Sequence, residues 1–200
     1  MNNRDAILSA VRGHQPPAVP RPVVPLFDED LAPLWPRFVA ALERMGGKLV
    51  VPAADADPDA IVRDLFPDAA IVCSATPEVE GTRPLSAVNT PKDLADVDVG
   101  IARAPFGVAE TGSVWFSARS LVQPAVAFLA QHFVVLLDPE AVVANLHVAY
   151  RRPEFQDAGY AVLVTGPSAT ADIEGVLIHG AQGVRSLTVI ALPLPVPVPV

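Results

Sequence analysis

The sequence contains a single cysteine, Cys73, among 200 residues. One thiol cannot form an internal disulfide, and it cannot supply the several thiolates that a structural zinc ion or an iron-sulfur cluster usually needs. The composition therefore predicts a reducing, cytoplasmic setting and places any iron-sulfur cluster on another protein. No metal site is predicted either, because His14, His132, His147 and His179 lack ligand spacing.

Basic residues are scarce as well, since 14 Lys and Arg stand against 22 Asp and Glu and leave a net charge of -8. Without a basic stripe to offset phosphate repulsion, nucleic acid is not an expected partner. The sequence lacks a run of about eighteen apolar residues, and residues 1–15 lack the apolar core of a secretory signal, so a soluble chain is predicted. Dinucleotide-binding, Walker, nucleophile-elbow and paired-cysteine motifs are absent too.

What the sequence does have is an apolar content of 51%, divided among many short segments. Residues 3–13 form a predicted helix, and the proline-rich stretch at 16–25 makes an extended connection. Apolar residues at helical spacing predict a second helix over 30–45, which the strand KLVVP follows. A third helix over 58–66, with Asp57 as its N-cap, precedes the buried strand AAIVCSA.

The second half continues in the same alternating order. Residues 96–104 alternate as a strand, and shorter extended pieces lie around 106–109 and 113–116. A helix over 125–131, the strand HFVVLL, a helix opened by Asp138-Pro139-Glu140, and the strands YAVLV and SLTVIAL complete the pattern. Strands separated by helices predict an α/β fold: a three-layer sandwich with a mainly parallel sheet. We expect an arm at 1–25, one domain at 26–192 and a Pro/Val tail at 193–200.

The segment GPSATADIE, at 166–174, follows a predicted strand and is expected to open a helix near Ser168 or Thr170. Ligands of open parallel sheets gather at the carboxyl ends of strands, and the first amides of a helix favour anions. Ser168 and Thr170 would add hydroxyl donors, and Gly166 would allow close approach. The alternative is that a hydroxyl only caps the helix, while Asp172 and Glu174 complement its dipole.

Two further segments have candidate chemistry. GAQGVR, at 180–185, has two glycines and an arginine, so Arg185 could pair with a bound carboxylate or phosphate, or it could lie in solvent beside an ordinary turn. In AETGS, at 109–113, Glu110 lies among small residues and is a candidate buried nucleophile or base. The alternative there is a β-turn whose glutamate faces water.

Taken together, DVDVGIARAPFGVAETGSVWF and TGPSATADIEGVLIHGAQGVRSLTVIAL resemble the LUD-domain family, in particular its lactate-utilisation protein C branch. The resemblance is close over 96–192 and loose before it. It implies a fold similar to the sugar-phosphate isomerase and CoA-transferase superfamily. It also implies a role in oxidising L-lactate to pyruvate, together with iron-sulfur partner proteins.

The positions carried over from the family's motifs are candidate ligand-binding residues without proven roles, and Glu110 is the candidate catalytic residue. The family often has His-Gly-Pro-Arg where this chain has Gln182 to Arg185, so a histidine of the family is missing here. The candidates for ligand binding are Phe106, Gly107, Thr111, Gly112, Ser113, Gly166, Pro167, Ser168, Thr170, Asp172, Gly180, Gly183 and Arg185.

Three functions are therefore open. The first is a subunit of an L-lactate-oxidising system that binds a small anionic ligand or a partner, with iron-sulfur clusters on the partners. The second is a stand-alone enzyme of the CoA-transferase or sugar-phosphate isomerase type. The third is a non-catalytic adaptor whose arm and tail hold neighbouring chains, with a homo-oligomer as one possible assembly.

Overall fold

The computed structural model describes residues 2–17, 19–29, 33–171 and 177–194. The strands are β1 Lys48–Val50, β2 Val72–Ser74, β3 Val99–Arg103, β4 Phe106–Val108, β5 Ser113–Ser117, β6 His132–Leu137, β7 Val142–Val143, β8 Ala161–Val164, β9 Ala169–Ala171, β10 Leu177–His179 and β11 Ser186–Ala191. The α-helices are α1 Asn3–Gly13, α2 Leu34–Arg44, α3 Pro58–Leu65, α4 Ala118–Leu121, α5 Val126–Leu129, α6 Leu146–Ala149 and α7 Pro153–Gln156.

A central sheet of five strands has the order β1-β11-β6-β3-β2, and every neighbouring pair in it is parallel. The inner strands are rich in Val, Leu and Ile, and β6 is buried along almost its whole length. Continuous apolar strands of this kind are expected when both faces of a sheet are covered. The α/β fold with a mainly parallel sheet flanked by helices is thus confirmed.

A second sheet has the order β7-β4-β5-β8. The β4–β5 and β5–β8 pairs are antiparallel, and β7 joins β4 through a short parallel pairing. The strand predicted from YAVLV is β8, so it belongs to this sheet and not to the parallel one. Sequence periodicity shows that a segment is extended but not which strand it will pair with.

The two sheets share one apolar layer. Leu137 and Val189 from one face of the central sheet pack with Phe38 of α2 and with Val114 and Phe116 of the second sheet. The opposite face of the central sheet packs against α3, and the opposite face of the second sheet packs against α6 and α7. Helices and the second sheet therefore cover the central strands from both sides.

The second sheet is built from two excursions of the chain. The first leaves the central sheet after β3, forms β4 and β5, and returns as β6, which pairs with β3. The next leaves after β6, forms β7 and β8, and returns as β11, which pairs with β6. Each excursion thus connects two adjacent parallel strands of the central sheet.

The N-terminal segment lies outside these layers. Helix α1 begins after Asn2, whose side chain accepts a hydrogen bond from the Asp5 amide, and none of its residues is buried. The chain then returns to the domain at Leu26 and Phe27, whose carbonyl groups accept hydrogen bonds from the Asn145 side chain at 2.7 and 3.0 Å.

The prediction of a helix that opens at Asp138-Pro139-Glu140 is wrong. Asp138 does cap a helical turn, but that turn is a single 3-10 turn over Pro139–Ala141, and the chain then becomes strand β7. Val142 and Val143 are β-branched and buried, so pairing with β4 prevails over helix extension. Of the helix expected over 30–45, residues 34–44 are helical, and 30–32 lie outside the described residues.

Candidate functional site

The first motif places its glycines against helix α2. A Cβ on Gly107, in β4, would lie 2.9 Å from the Phe38 ring, and a Cβ on Gly112 would lie 2.3 Å from the Leu42 amide nitrogen. Gly112 also has a φ of +68°, a backbone conformation that L residues seldom adopt. These two glycines therefore let the β4–β5 hairpin pack directly on the helix.

Phe106 of the same motif lies on the other face of the hairpin. Its side chain is fully buried, and its ring stacks on Trp115 with the centroids 5.2 Å apart and the planes 14° apart. The Arg152 guanidinium lies 4.7 Å from the centroid of the Phe106 ring. Phe106 is thus a core residue of the layer between the second sheet and α7.

Glu110 is exposed, which matches the alternative of a glutamate that faces water rather than a buried base. Its Oε2 accepts a hydrogen bond of 3.1 Å from the Leu146 amide at the start of α6. Asn145 caps the same helix by accepting from the Val148 amide. In the described part of the chain, Glu110 therefore serves as a second acceptor for the free amides of a helix end.

A row of hydroxyl groups joins the first motif to the second. Thr111 Oγ1 lies 2.7 Å from Ser113 Oγ, and Ser113 Oγ lies 2.6 Å from Thr165 Oγ1. Ser113 is only 2% exposed, so its hydroxyl is satisfied by these two neighbours and not by bulk water. Thr165 was missed as a site residue from the sequence, although it lies directly between strand β8 and Gly166.

The segment after Gly166 does not open a helix at Ser168 or Thr170, so that expectation is wrong. Residues 169–171 form β9, which pairs antiparallel with β10, and Thr170 lies opposite Ile178. The sequence S-A-T-A-D does fit a capped helix, but pairing with the apolar segment LIH gives the backbone groups partners in a hairpin instead. Asp172 and Glu174 lie outside the described residues.

Gly166 and Pro167 are buried at the turn before this hairpin. Gly166 has a φ of +67°, and a Cβ on it would lie 2.2 Å from the Met45 carbonyl oxygen at the end of α2. The first and second motifs therefore use one glycine each to approach the same end of the same helix. The close approach that Gly166 was expected to allow is made by the protein's own backbone.

The third motif folds back onto Ser168. The Ser168 amide donates to the Val184 carbonyl at 2.9 Å, and the Gly180 amide donates to the Ser168 carbonyl at 2.8 Å. A Cβ on Gly183 would lie 3.1 Å from the Ser168 Cβ. The second and third motifs are thus brought together, with Ser168 at their centre.

Arg185 leads into β11, and its side chain is exposed. Its amide donates to the Gln131 carbonyl at 2.8 Å, and a Cβ on Gly180 would lie 2.5 Å from its Cγ. The Arg185 guanidinium is near enough to His132 to influence its titration. Burial above all, and then the charge of Arg185, lower the pKa of His132, and the opposing effect of Asp98 is smaller.

The position of Ser168 and Arg185 corrects one assumption. His132 and Ser186 are the first residues of β6 and β11, and they pair side by side. The Ser168–Arg185 region therefore lies at the amino end of the parallel strands, whereas the sequence argument placed it at a carboxyl end. The assumption failed because β8, which precedes Gly166, belongs to the second sheet.

The carboxyl ends of the parallel strands hold a polar cluster that the sequence argument missed. Arg103, the last residue of β3, forms an ion pair with Glu78 and donates from Nη1 to the Leu192 carbonyl at 3.0 Å. Burial acts to raise the pKa of Glu78, but hydrogen bonds from Thr76 and its own amide, with the charge of Arg103, leave it below its ordinary value. The sequence did contain one sign of this cluster, namely an arginine at the end of an otherwise apolar strand.

The structure separates Glu110, beside helix α6, from Ser168 and Arg185, at the amino end of the parallel strands. Within the described ranges, no hydrogen bond connects Glu110 with Ser168 or Arg185. The same ranges contain no group of three His, Cys, Asp or Glu that could hold a metal ion, and no helix in them is long and apolar enough to cross a membrane. Ser168 and Gly183 lie side by side, and Gly180, which hydrogen-bonds Ser168, lies against Arg185.

The sequence model of the LUD domain matches residues 79–192. An uncharacterised protein of Neisseria meningitidis serogroup B is 27% identical over 102 residues, which are 50% of this chain and 44% of that protein. This chain therefore spans less than half the length of that relative.

A solved structure is similar in fold. The crystal structure of a DUF162 family protein from Deinococcus radiodurans superposes with a TM-score of 0.57 at 16% sequence identity. The match covers 81% of this chain and 98% of that one. At this identity the likeness concerns the fold alone.

Proposed function

This chain belongs to the LUD-domain family, and we propose that it is a component of an L-lactate utilisation system, within the lactate-utilisation protein C branch. The observation that carries the proposal is that the family's match spans all three motifs, from Phe106 to Arg185. Lactate utilisation is consistent with this family. The branch, the partners and the ligand are our proposal.

The proposed ligand is a small carboxylate or another small anion, bound where the second and third motifs meet. The amides of Ala181, Gln182 and Gly183 donate to no acceptor among the described residues, and we propose that they bind the anion. The Ser168 hydroxyl lies beside Gly183, and Arg185 is the nearest described cation in sequence. Amides, a hydroxyl and a guanidinium are the donors that carboxylates and phosphates prefer.

The oxidation of lactate to pyruvate removes two electrons, and the one cysteine of this chain cannot hold a cluster that would take them. Cys73 is buried, and burial raises the pKa of its thiol, with Arg83 opposing the effect. We therefore assign electron transfer to iron-sulfur partner proteins and ligand binding to this chain.

Growth on L-lactate tests the proposed role. Deletion of the gene, in a strain without another L-lactate-oxidising enzyme, should abolish growth on L-lactate and leave growth on pyruvate unchanged. The intact gene and an Arg12→Gln variant, which changes an exposed arginine of α1, should restore growth, whereas Arg185→Gln should not. Normal growth of the deletion strain on L-lactate would refute the role.

Binding tests the proposed site separately. Titration of the ¹⁵N-labelled protein with pyruvate, L-lactate or inorganic phosphate should shift the amide signals of residues 181–183. Arg185→Gln should weaken that binding by about ten- to a hundredfold, because a charge-assisted contact is worth roughly 1.5–3 kcal/mol. The same substitution should raise the pKa of His132, since the charge of Arg185 lowers it. If the amide signals of residues 181–183 do not shift but the pKa of His132 rises in Arg185→Gln, the anion site is refuted, while the closeness of Arg185 to His132 is supported.

A further inference from the structure

The last described residues, 192–194, are fixed to one end of the second sheet. The Leu192 amide donates to the Leu137 carbonyl at 2.9 Å, and the Leu194 amide donates to the Asp138 carboxylate at 3.1 Å. Asp138 begins the 3-10 turn that leads into β7. The chain after Leu194 therefore starts from the β7 side of that sheet.

Residues 195–200 follow with the sequence PVPVPV. Proline at every second position fixes φ and removes the amide donors of a regular ladder, so the sequence predicts polyproline II. Three valines and three prolines bring no charge and no polar side chain, so an apolar surface is the cover that suits them. At about 3.1 Å per residue, such a segment reaches about 19 Å.

An apolar cleft of about 760 Å³ opens at the same end of the second sheet. Strands β4 and β7 are parallel, so Pro105, which precedes β4 and lines the cleft, lies at the same end as Asp138. Ser117, which ends the antiparallel strand β5, also lines the cleft. Two strand spacings of about 4.8 Å separate β7 from β5, so residues 195–200 are long enough to cross β4 and enter the cleft.

The lining of the cleft offers apolar contact rather than free polar groups. Ser117 and Ser120 hydrogen-bond each other's backbone amides, and Arg152 holds Glu154 at 2.6 Å. Tyr160 is 45% exposed, so its ring is available to a neighbour. Grooves with aromatic side chains are common sites for polyproline II segments. The apolar lining comes from Pro105, Trp115, Ala118, Pro153, Ala158 and Tyr160.

We propose that residues 195–200 bind in this cleft of their own chain as a polyproline II segment. Attachment at Leu194 supplies the selectivity that the apolar lining alone does not. A short tether holds its end at an effective concentration in the millimolar range, so even weak apolar contact keeps the segment in place. Binding removes its valines from water and covers Tyr160. The inference is independent of the lactate role.

A spin label on the tail tests the contact in the full chain. Cys73 is buried, so Val198→Cys provides the thiol that a nitroxide reagent can reach. In the ¹⁵N-labelled protein the nitroxide should broaden the amide signals of residues 118–120 and 159–160. The signal of Ser186, at the amino end of β11, should stay sharp. Chemical reduction of the nitroxide should restore the broadened signals.

Two substitutions separate binding from mere nearness, because a tethered segment always lies close to the cleft. Ala118→Asp sets a charge at an exposed lining position and should weaken the apolar contact at least about tenfold, so that the signals of Gly159 and Tyr160 sharpen. Ala6→Asp adds the same charge to the exposed helix α1 and should leave the broadening unchanged.

A mixed sample shows whose tail is bound. Chains labelled with ¹⁵N but without a nitroxide are mixed with unlabelled chains that have the nitroxide at Val198→Cys, and the cleft signals should stay sharp. Broadening in that mixture would overturn the proposal and assign the cleft to the tail of a second copy. Sharp cleft signals in the singly labelled chain, or broadening that persists in Ala118→Asp, would overturn it as well.

Discussion

Replacing Gly112 by alanine tests whether the first motif needs a glycine at this position for packing or for ligand contact. At a φ of +68° an added Cβ costs about 1–2 kcal/mol in any surroundings. Here the Cβ would also lie 2.3 Å from the Leu42 amide nitrogen and 2.6 Å from the Ala41 carbonyl carbon. Both are backbone atoms of α2, so the helix itself must move, at a further cost of about 1–3 kcal/mol.

The expected total for Gly112→Ala is a loss of about 2–5 kcal/mol in the free energy of unfolding. In a chain of this length each kcal/mol lowers Tm by about 2–4 °C, so Tm should fall by roughly 4–20 °C. Differential scanning calorimetry measures this directly. Gly159→Ala is the matched control, because an added Cβ there meets nothing within 4 Å.

Gly166→Ala should behave like Gly112→Ala, since its Cβ would press on the Met45 carbonyl at the same end of α2. The double variant should lose less than the sum of the two, because one displacement of the helix end relieves both contacts. A Gly112→Ala protein that melts together with the Gly159→Ala control would refute the packing explanation.

Three further results are expected. Ser113→Ala should lower the free energy of unfolding by about 1–3 kcal/mol by unfolding assay, and Ser113→Ala with Thr165→Val should cost less than the two changes added, because the hydrogen bond between the two hydroxyls is then lost only once. The pKa of His132 is lower in the folded state, so the unfolded chain binds the proton more tightly. The free energy of unfolding should therefore decline as the pH falls below about 6.5. Denaturant titration should show a smaller decline in His132→Gln. Arg103→Met leaves the half-buried carboxylate of Glu78 without its ion-pair partner and should lower the free energy of unfolding by about 2–4 kcal/mol, measured by thermal unfolding. Arg63→Met, at an exposed ion pair, should lower it by less than about 1 kcal/mol.

Local signals in the sequence predicted most of the individual elements. Asp57 caps its helix as expected, and β6 spans the six residues HFVVLL. These features depend on neighbouring residues, on a capping oxygen or a continuous apolar run. That is why the α/β class could be predicted without knowledge of any distant contact.

The candidate site depended on contacts that the sequence does not contain. Ser168 looks like a helix cap, and only its pairing partner, a segment several residues later, turns it into part of a hairpin. The position of Arg185 at the amino end of the sheet follows from the antiparallel pairing of β8 with β5, which is likewise a long-range event. Such pairings are decided by tertiary packing and not by local preference.

The two excursions that build the second sheet have a practical consequence for protein engineering. All four strands of that sheet fall within residues 106–164, yet the same stretch also contains β6, the middle strand of the central sheet. A fragment cut to contain one sheet therefore takes the centre of the other with it. Neither sheet can therefore be expressed or transferred to another scaffold as a separate fragment, and the two sheets must be redesigned together.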